Sequence, residues 1–258
     1  MRWRNGAFDQ VDRVIPEETA VALVHDASTT AVMMATPDQL EDFAIGFSLT
    51  EGLIDDVSDI RSLEVVDTHN GVEVRMWLTS ARSTALAERR RALVGPSGCG
   101  LCGVESLDQA VRSPPPVTKG GLMSSKDVLH ALSALTAAQV LGGATRSVHA
   151  AAFWSLQSKL LAIREDVGRH NALDKLVGAL KRPGGDLPLG AVLLTSRVSV
   201  EMVQKAAVLG APILVAMSAP TALALRAANT CGMTVIAVAR NDGFEVFTHP
   251  ERILSKMR

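Results

Sequence analysis

The sequence predicts an α/β fold preceded by a smaller α+β unit. Three observations carry this. From residue 149 onward, short and nearly continuous apolar strands alternate with amphipathic helices, the pattern of a sheet covered on both faces. Before residue 80, apolar and polar residues fall into two strand pairs around a helix. Between the two halves, residues 95–121 read GPSGCGLCGVESLDQAVRSPPPVTKGG, a stretch rich in the residues that punctuate folds. The expected organisation is residues 1–94 as a small α+β domain, 95–122 as a loop carrying a Cys-x-x-Cys, and 123–258 as the α/β domain.

In order along the chain, Glu18–His25 and Thr30–Ala35 are expected as strands around a polar turn. Thr36-Pro37-Asp38 then reads as a helix start, with a cap, a first-turn proline and an acid at the positive dipole end. Helical spacing of apolar residues follows at 40, 43, 44, 47 and 54. Leu63–Val66 and Val72–Leu78 form a second strand pair, followed by a charged helix over Ala81–Arg91 and a short helix within Val104–Val111. Ser124 or Ser125 caps a helix reaching about Val140. His149–Ser155 and Lys159–Arg164 make a hairpin. The helix Asn171–Leu180 places Ala172, Leu173, Leu176, Val177 and Leu180 on one face. Strands at Ala191–Leu194, Ile213–Met217 and Thr234–Val238 then alternate with helices at Val200–Leu209 and Thr221–Ala228, and Phe244–Thr248 is the last strand.

Composition excludes several classes of function. With 26 Lys+Arg against 27 Asp+Glu, the chain has no global basic field for nucleic acid or anionic lipid. Six Phe, three Trp and no Tyr disfavour a stacking platform for single strands. The most apolar run, Ala206–Met217, contains Gly210 and Pro212 and falls short of the roughly 20 residues a bilayer span needs. The opening MRWRNGAFDQ lacks the apolar centre of a secretory leader, and three cysteines do not make a disulfide scaffold. The expected compartment is the cytoplasm.

Polar residues gather where strands end and helices begin: Arg164–Asn171, Thr195–Ser199 and Ser218–Thr221. Such junctions line the carboxyl edge of an open sheet, and helix N-termini there suit phosphate. Arg169, Arg197 and Arg240 are candidate bidentate donors to an anionic, nucleotide-like ligand. His170, among Glu165, Asp166 and Arg169, is a functional candidate; His149, opening an apolar strand, reads more readily as a core histidine. On the residues alone, Cys99-Gly-Leu-Cys102 admits a redox dithiol, half a zinc site, a persulfide relay or a buried inert pair. A zinc nucleobase deaminase is disfavoured: its H-x-E followed by P-C-x-x-C is missing, and the Cys-x-x-Cys precedes both His149 and His170.

GCGLCGVESL, VHAAAF, REDVGRHNALDKLVG, SRVSVEMVQKAA, SAPTALA and ARNDGFEVFTHPERI, in that order over about residues 95–253, together resemble the formate dehydrogenase accessory sulfurtransferases of the FdhD family. The upstream TPDQLEDFAIGFSLTEGLI is similar to the family's early helix. The resemblance implies a cytoplasmic, homodimeric sulfur carrier whose larger, cofactor-binding domain is a three-layer α/β/α fold like that of cytidine deaminases, without a metal site. It implies a cysteine desulfurase as donor and formate dehydrogenase as the enzyme served. The acceptor would be the bis-molybdopterin guanine dinucleotide cofactor of molybdenum or tungsten, with GDP as an analogue.

By the same resemblance, Cys99 is the persulfide-bearing cysteine and Cys102 its partner. Val238, Ala239, Arg240, Asn241, Asp242 and Gly243 match the guanine-nucleotide segment, and Arg169, His170, Arg197 and Ser218 fall within family motifs. The chain differs from common family residues in three places. Thr145-Arg146-Ser147 stands where Thr-Gly-Gly is frequent, which predicts that this loop forgoes the backbone angles that glycine favours. Ser196 replaces a frequent glycine, and Gly243 a frequent basic residue. A cofactor-binding chaperone that transfers no sulfur is the alternative reading.

Overall fold

In the computed structural model, residues 1–84, 86, 112–117, 120–184 and 186–254 are described. The strands are β1 (Arg2–Arg4), β2 (Ala7–Asp9), β3 (Thr19–His25), β4 (Ser28–Ala35), β5 (Ile60–Thr68), β6 (Gly71–Leu78), β7 (Met123–Ser124), β8 (His149–Ser155), β9 (Lys159–Asp166), β10 (Gly190–Leu194), β11 (Ile213–Ala216), β12 (Thr234–Arg240), β13 (Gly243–Val246) and β14 (Ile253–Leu254). The α-helices are α1 (Leu40–Thr50), α2 (Ser125–Ala138), α3 (Val140–Thr145), α4 (Arg169–Lys181), α5 (Val200–Leu209) and α6 (Ala222–Cys231). The expected helix over Ala81–Arg91 is seen at its start, where residues 80–84 are helical; the rest of it lies outside the described residues, as does Val104–Val111.

The architecture is mixed α/β. A six-stranded sheet runs β13-β12-β11-β10-β8-β9, with β10, β11 and β12 parallel and the others antiparallel to their neighbours. Alternate residues of its central strands face opposite layers. Val192, Leu194, Leu214, Ala216 and Val235 join the core beneath α1, α4, α5 and α6, while Ala191, Leu193, Ile213, Val215 and Ile236 pack with Val128, Leu132 and Leu135 of α2. Burial on both faces explains why these strands read as continuous apolar runs. Ser124 caps α2: its hydroxyl accepts from the Asp127 N–H at 3.1 Å and its own N–H donates back to the Asp127 carboxylate.

A second sheet, β4-β3-β6-β5, has its inner face on α1. Val21, Leu23, Val74 and Met76 of this sheet belong to the same continuous cluster as Leu173, Leu176 and Leu194. Helix α1 crosses α4 at a glycine pair. A Cβ on Gly46 would lie 1.7 Å from the Asp174 carbonyl oxygen, and one on Gly178 1.9 Å from that of Asp42, so only glycine allows this approach.

The structure corrects the expected start of α1. The helix begins at Leu40 behind Gln39, which sits in the left-handed region with no side-chain cap. Thr36 bonds across to the other sheet instead. Its N–H donates to Asp166 at 3.0 Å, its carbonyl accepts from Lys175 Nζ at 2.8 Å, and its hydroxyl accepts from the Val167 N–H at 3.1 Å.

The loop at Thr145-Arg146-Ser147 is a second correction. Arg146 closes α3 at φ 56° and ψ 29°, so the chain keeps the left-handed turn with a side chain in place.

Candidate functional site at the carboxyl edge

The parallel strands β10, β11 and β12 end on one edge of the sheet, and the loops that follow are laced together. The Met217 N–H donates to the Leu194 carbonyl at 2.9 Å, the Val198 N–H to Ala219 at 3.2 Å, and the Thr221 N–H to Val198 at 2.9 Å. Thr195 serves the sheet itself, accepting from the Ala150 N–H at 2.9 Å. Thr221 caps α6 by accepting from the Ala224 N–H at 3.2 Å.

The run Arg164–Asn171 divides into framework and candidate site. Arg164 holds Asp42 through Nε (2.9 Å) and Nη2 (2.7 Å). The Glu165 carboxylate accepts from the Leu141 and Gly142 N–H groups at 2.8 and 2.7 Å, closing the start of α3. Asp166 is fully buried, pairs with Lys175 at 2.7 Å, and accepts from Gly168 N–H and Asn171 Nδ2. Arg164, Glu165, Asp166, Gly168 and Asn171 are therefore framework. Arg169 and His170 differ: Arg169 Nε and His170 Nε2 are buried and have no hydrogen-bond partner among the described residues. Unmet buried polar atoms are rare because each costs about 1–3 kcal/mol, so this pair at a helix start makes the carboxyl edge the candidate site.

The surrounding charges come from three helices. Burial pushes the His170 imidazole down to about 4; Arg169 and Lys205 add to this, and Glu201 and Glu51 partly oppose it. His149, which pairs with Asp166 in the sheet register, is also lowered by burial and Arg169, with Asp166 pulling the other way. Both rings are thus neutral near pH 7. His149 is half-buried at the start of β8 rather than fully inside the core. Glu201 is a carboxylate: burial raises it, but hydrogen bonds at the start of α5 and the nearby His170 and Arg169 bring it below its ordinary value.

Beneath this group lies a buried ion network. Lys205 Nζ meets Thr50 Oγ1, Glu51 Oε1 and Asp174 Oδ1 at 2.9 Å each. Burial opposes the Lys205 charge, but Asp174 and Glu51 outweigh it and raise the ammonium above its ordinary range. Arg112 is tied to the same place. Its guanidinium donates to the Thr50 carbonyl and approaches Glu51 at 3.7 Å, and its carbonyl accepts from Gln204 Nε2 at 2.7 Å. Sequence reading passed over Glu51, Glu201 and Lys205. The available signal was a set of charges inside apolar faces, Asp174 in NALDKLVG and Lys205 in VEMVQKAAVL.

The expected nucleotide segment, Val238–Gly243, lies on the same edge. Val238, a β-branched residue, takes φ 52° at an irregularity between Ala237 and Arg240, and its N–H donates to the Ser218 carbonyl at 3.2 Å. Such strain persists where surroundings over-determine it, and it clusters at functional sites. Arg240 Nη1 donates to the Met217 and Ala239 carbonyls, so part of the fork expected to meet a ligand holds backbone instead. Asn241 and Asp242 are exposed in the β12–β13 turn, Gly243 opens β13, and Ala239 is buried. Arg197 is exposed and Ser218 half-buried at the neighbouring junctions. Ser196 is buried, its hydroxyl donating to the Arg197 carbonyl. Cys99 and Cys102 lie outside the described residues; Cys231, the last residue of α6, is buried, and burial raises its thiol away from thiolate character.

Comparison with known proteins points one way. The FdhD/NarQ family model matches residues 16–254. The chain is 50% identical over 252 residues to the sulfur carrier protein FdhD of Agrobacterium fabrum, covering 97% of this chain and 93% of that protein. It is 46% identical over 248 residues to that of Bordetella petrii, covering 96% and 89%. A crystal structure from Desulfotalea psychrophila, described as a formate dehydrogenase accessory protein, superposes with a TM-score of 0.75 at 26% identity, covering 98% of this chain and 96% of that one.

Proposed function

The chain belongs to the FdhD/NarQ family, and from that premise we propose that it is a sulfur carrier required for formate dehydrogenase activity. Cys99 attacks the persulfide of a cysteine desulfurase as thiolate; the donor's S–S bond breaks, a new S–S bond forms on Cys99, and the donor leaves as thiolate. Cys102 assists binding or release of that sulfur. The acceptor, as cargo, is bis-molybdopterin guanine dinucleotide. Its guanine ends are held at the carboxyl edge by Arg197, Ser218 and the Val238–Gly243 turn, within a cytidine-deaminase-like domain of residues 123–258 in a homodimer. Holding carrier and acceptor on one chain makes delivery effectively intramolecular.

The observation that supports this reading is the match over nearly the whole chain to proteins named sulfur carrier FdhD, in a fold whose carboxyl edge holds Arg169 Nε and His170 Nε2 without hydrogen-bond partners among the described residues. The test is intact mass after incubation with cysteine and a desulfurase, without reductant. One added, reductant-labile sulfur is expected, mapped to Cys99 and lost in Cys99→Ala. That variant should bind GDP and fail to mature formate dehydrogenase. Normal maturation by Cys99→Ala would instead make the protein a cofactor chaperone.

A further inference from the structure

The strands β1 and β2 form a hairpin that the sequence specifies by itself. Asn5 and Gly6 take φ 51° and 84°, the two positive values of a type I′ turn, and Trp3 stands opposite Phe8 across the strands. All six strand residues are exposed, Trp3 and Phe8 at 63% and 66%. A lone two-stranded hairpin is marginal in water, so an aromatic pair left open on it calls for a covering surface. At the amino edge of the large sheet, opposite the candidate site, lies a cavity of about 240 Å³ lined by Val117, Phe153, Leu187, Leu189, Pro212 and Lys181. It sits where β10 and β11 begin. Small-molecule sites usually span about 300–1,000 Å³, so this one suits a single aromatic side chain, a common anchor of protein interfaces.

We infer that Trp3 of one copy enters this cavity in a second copy, and that the exchange is reciprocal. This rests on the homodimer of the proposed function and names its interface. The chain's own hairpin does not fill the cavity. Arg13, at its root, is tied to the Thr145 carbonyl at 3.2 Å, just before β8 enters the sheet at the carboxyl edge. The cavity lies towards the far end of β8, where Ser155 pairs with Gly190. From Arg13 to Phe8 five residues extend at most about 18 Å, against roughly 20 Å for β8, and a path over the helical layers is longer still. Two copies set antiparallel about a two-fold axis bring each hairpin to the other's amino edge, which closes the assembly. Burial of the two aromatics on both hairpins, with the surfaces that receive them, comes near 1,000 Å² at roughly 150–250 Å² per ring. Val14 and Ile15, 60% and 78% exposed, extend it into the range of about 1,200–2,000 Å² typical of stable interfaces. Lys181 supplies a cation beside the indole face.

The test mixes the 15N-labelled full chain with an unlabelled chain carrying the photocrosslinker p-benzoylphenylalanine in place of Trp3. Illumination should join labelled to unlabelled chains, from position 3 to peptides spanning residues 181–189 or 212. Crosslinks confined to one chain, or joining two chains elsewhere, would overturn the assignment. Light scattering then reads the dimer. Trp3→Ala and Leu189→Glu, both at exposed positions, should each weaken it at least hundredfold with an unchanged circular dichroism spectrum. Mixing the two variants restores one intact hairpin and one intact cavity, and should recover at least tenfold of that loss; no recovery would count against the exchange. A dimer indifferent to Trp3→Ala would remove this interface and leave the homodimer standing, whereas a wild-type chain that is monomeric at micromolar concentration would remove both. Sulfur loading of Cys99 is read separately by mass and depends on neither outcome.

Discussion

At Arg146 and at Asp166 the chain keeps a costly local arrangement, for opposite reasons. Arg146 holds a left-handed conformation that a side chain resists by about 1 kcal/mol. Arg146→Gly is expected to raise stability by about 0.5–1 kcal/mol, read as a higher urea midpoint with an unchanged slope. Asp166 and Lys175 are both fully buried, and burial lowers the Lys175 ammonium, with Asp166 its chief support. Asp166→Asn leaves that ammonium without its counter-charge and should cost about 3–5 kcal/mol. Replacing the pair together, Asp166→Asn with Lys175→Met, should recover much of the loss. An additive double variant would show that the ion pair is not the cause.

Among the elements, the α1–α4 crossing has the least tolerance. With backbone oxygens under 2 Å from any added Cβ, Gly46→Ala and Gly178→Ala must push the helices apart. Each is expected to cost about 3 kcal/mol or more, seen as a large drop in thermal midpoint or loss of soluble protein. Elements whose character is set by nearby residues were legible: the α2 cap at Ser124, the buried face of α4, and the strand–helix alternation after residue 149. The start of α1 was not, because Thr36, locally a good cap, finds better partners 130 residues away at Asp166 and Lys175. The strand β9 likewise runs two residues past its expected end, since Glu165 and Asp166 complete the pairing with β8. Sequence marked the carboxyl edge and Arg169–His170 through their junction chemistry. It did not mark Glu51, Glu201 and Lys205, whose charges act on His170 only through the packing of α1 and α5 on α4.

For the whole molecule, the neutral histidines make stability depend on acid. Folded His170 takes its proton only near pH 4, whereas the ordinary value is 6.5. Between these values the unfolded chain binds more protons, so stability falls as pH drops from 6.5 towards 4, and His149 acts in the same direction. Urea midpoints at pH 7, 6 and 5 should decline, and His170→Gln should flatten the decline. A steeper decline in that variant would contradict the burial of the neutral ring. No helix among the described residues is long and apolar enough to cross a membrane.

The single core that joins the inner face of β3 and β6 through α1 to α4 also has a consequence during synthesis. The apolar side of α1 is complete once Thr50 is made, but its cover, α4, ends at Lys181. Roughly 130 residues must still be translated, which at about 5–20 residues per second takes on the order of 7–26 s. Throughout that interval the side of α1 around Gly46 lacks its α4 cover. Slowing the ribosome between codons 51 and 181 therefore lengthens the time in which aggregation competes with folding, while slowing it after 181 does not.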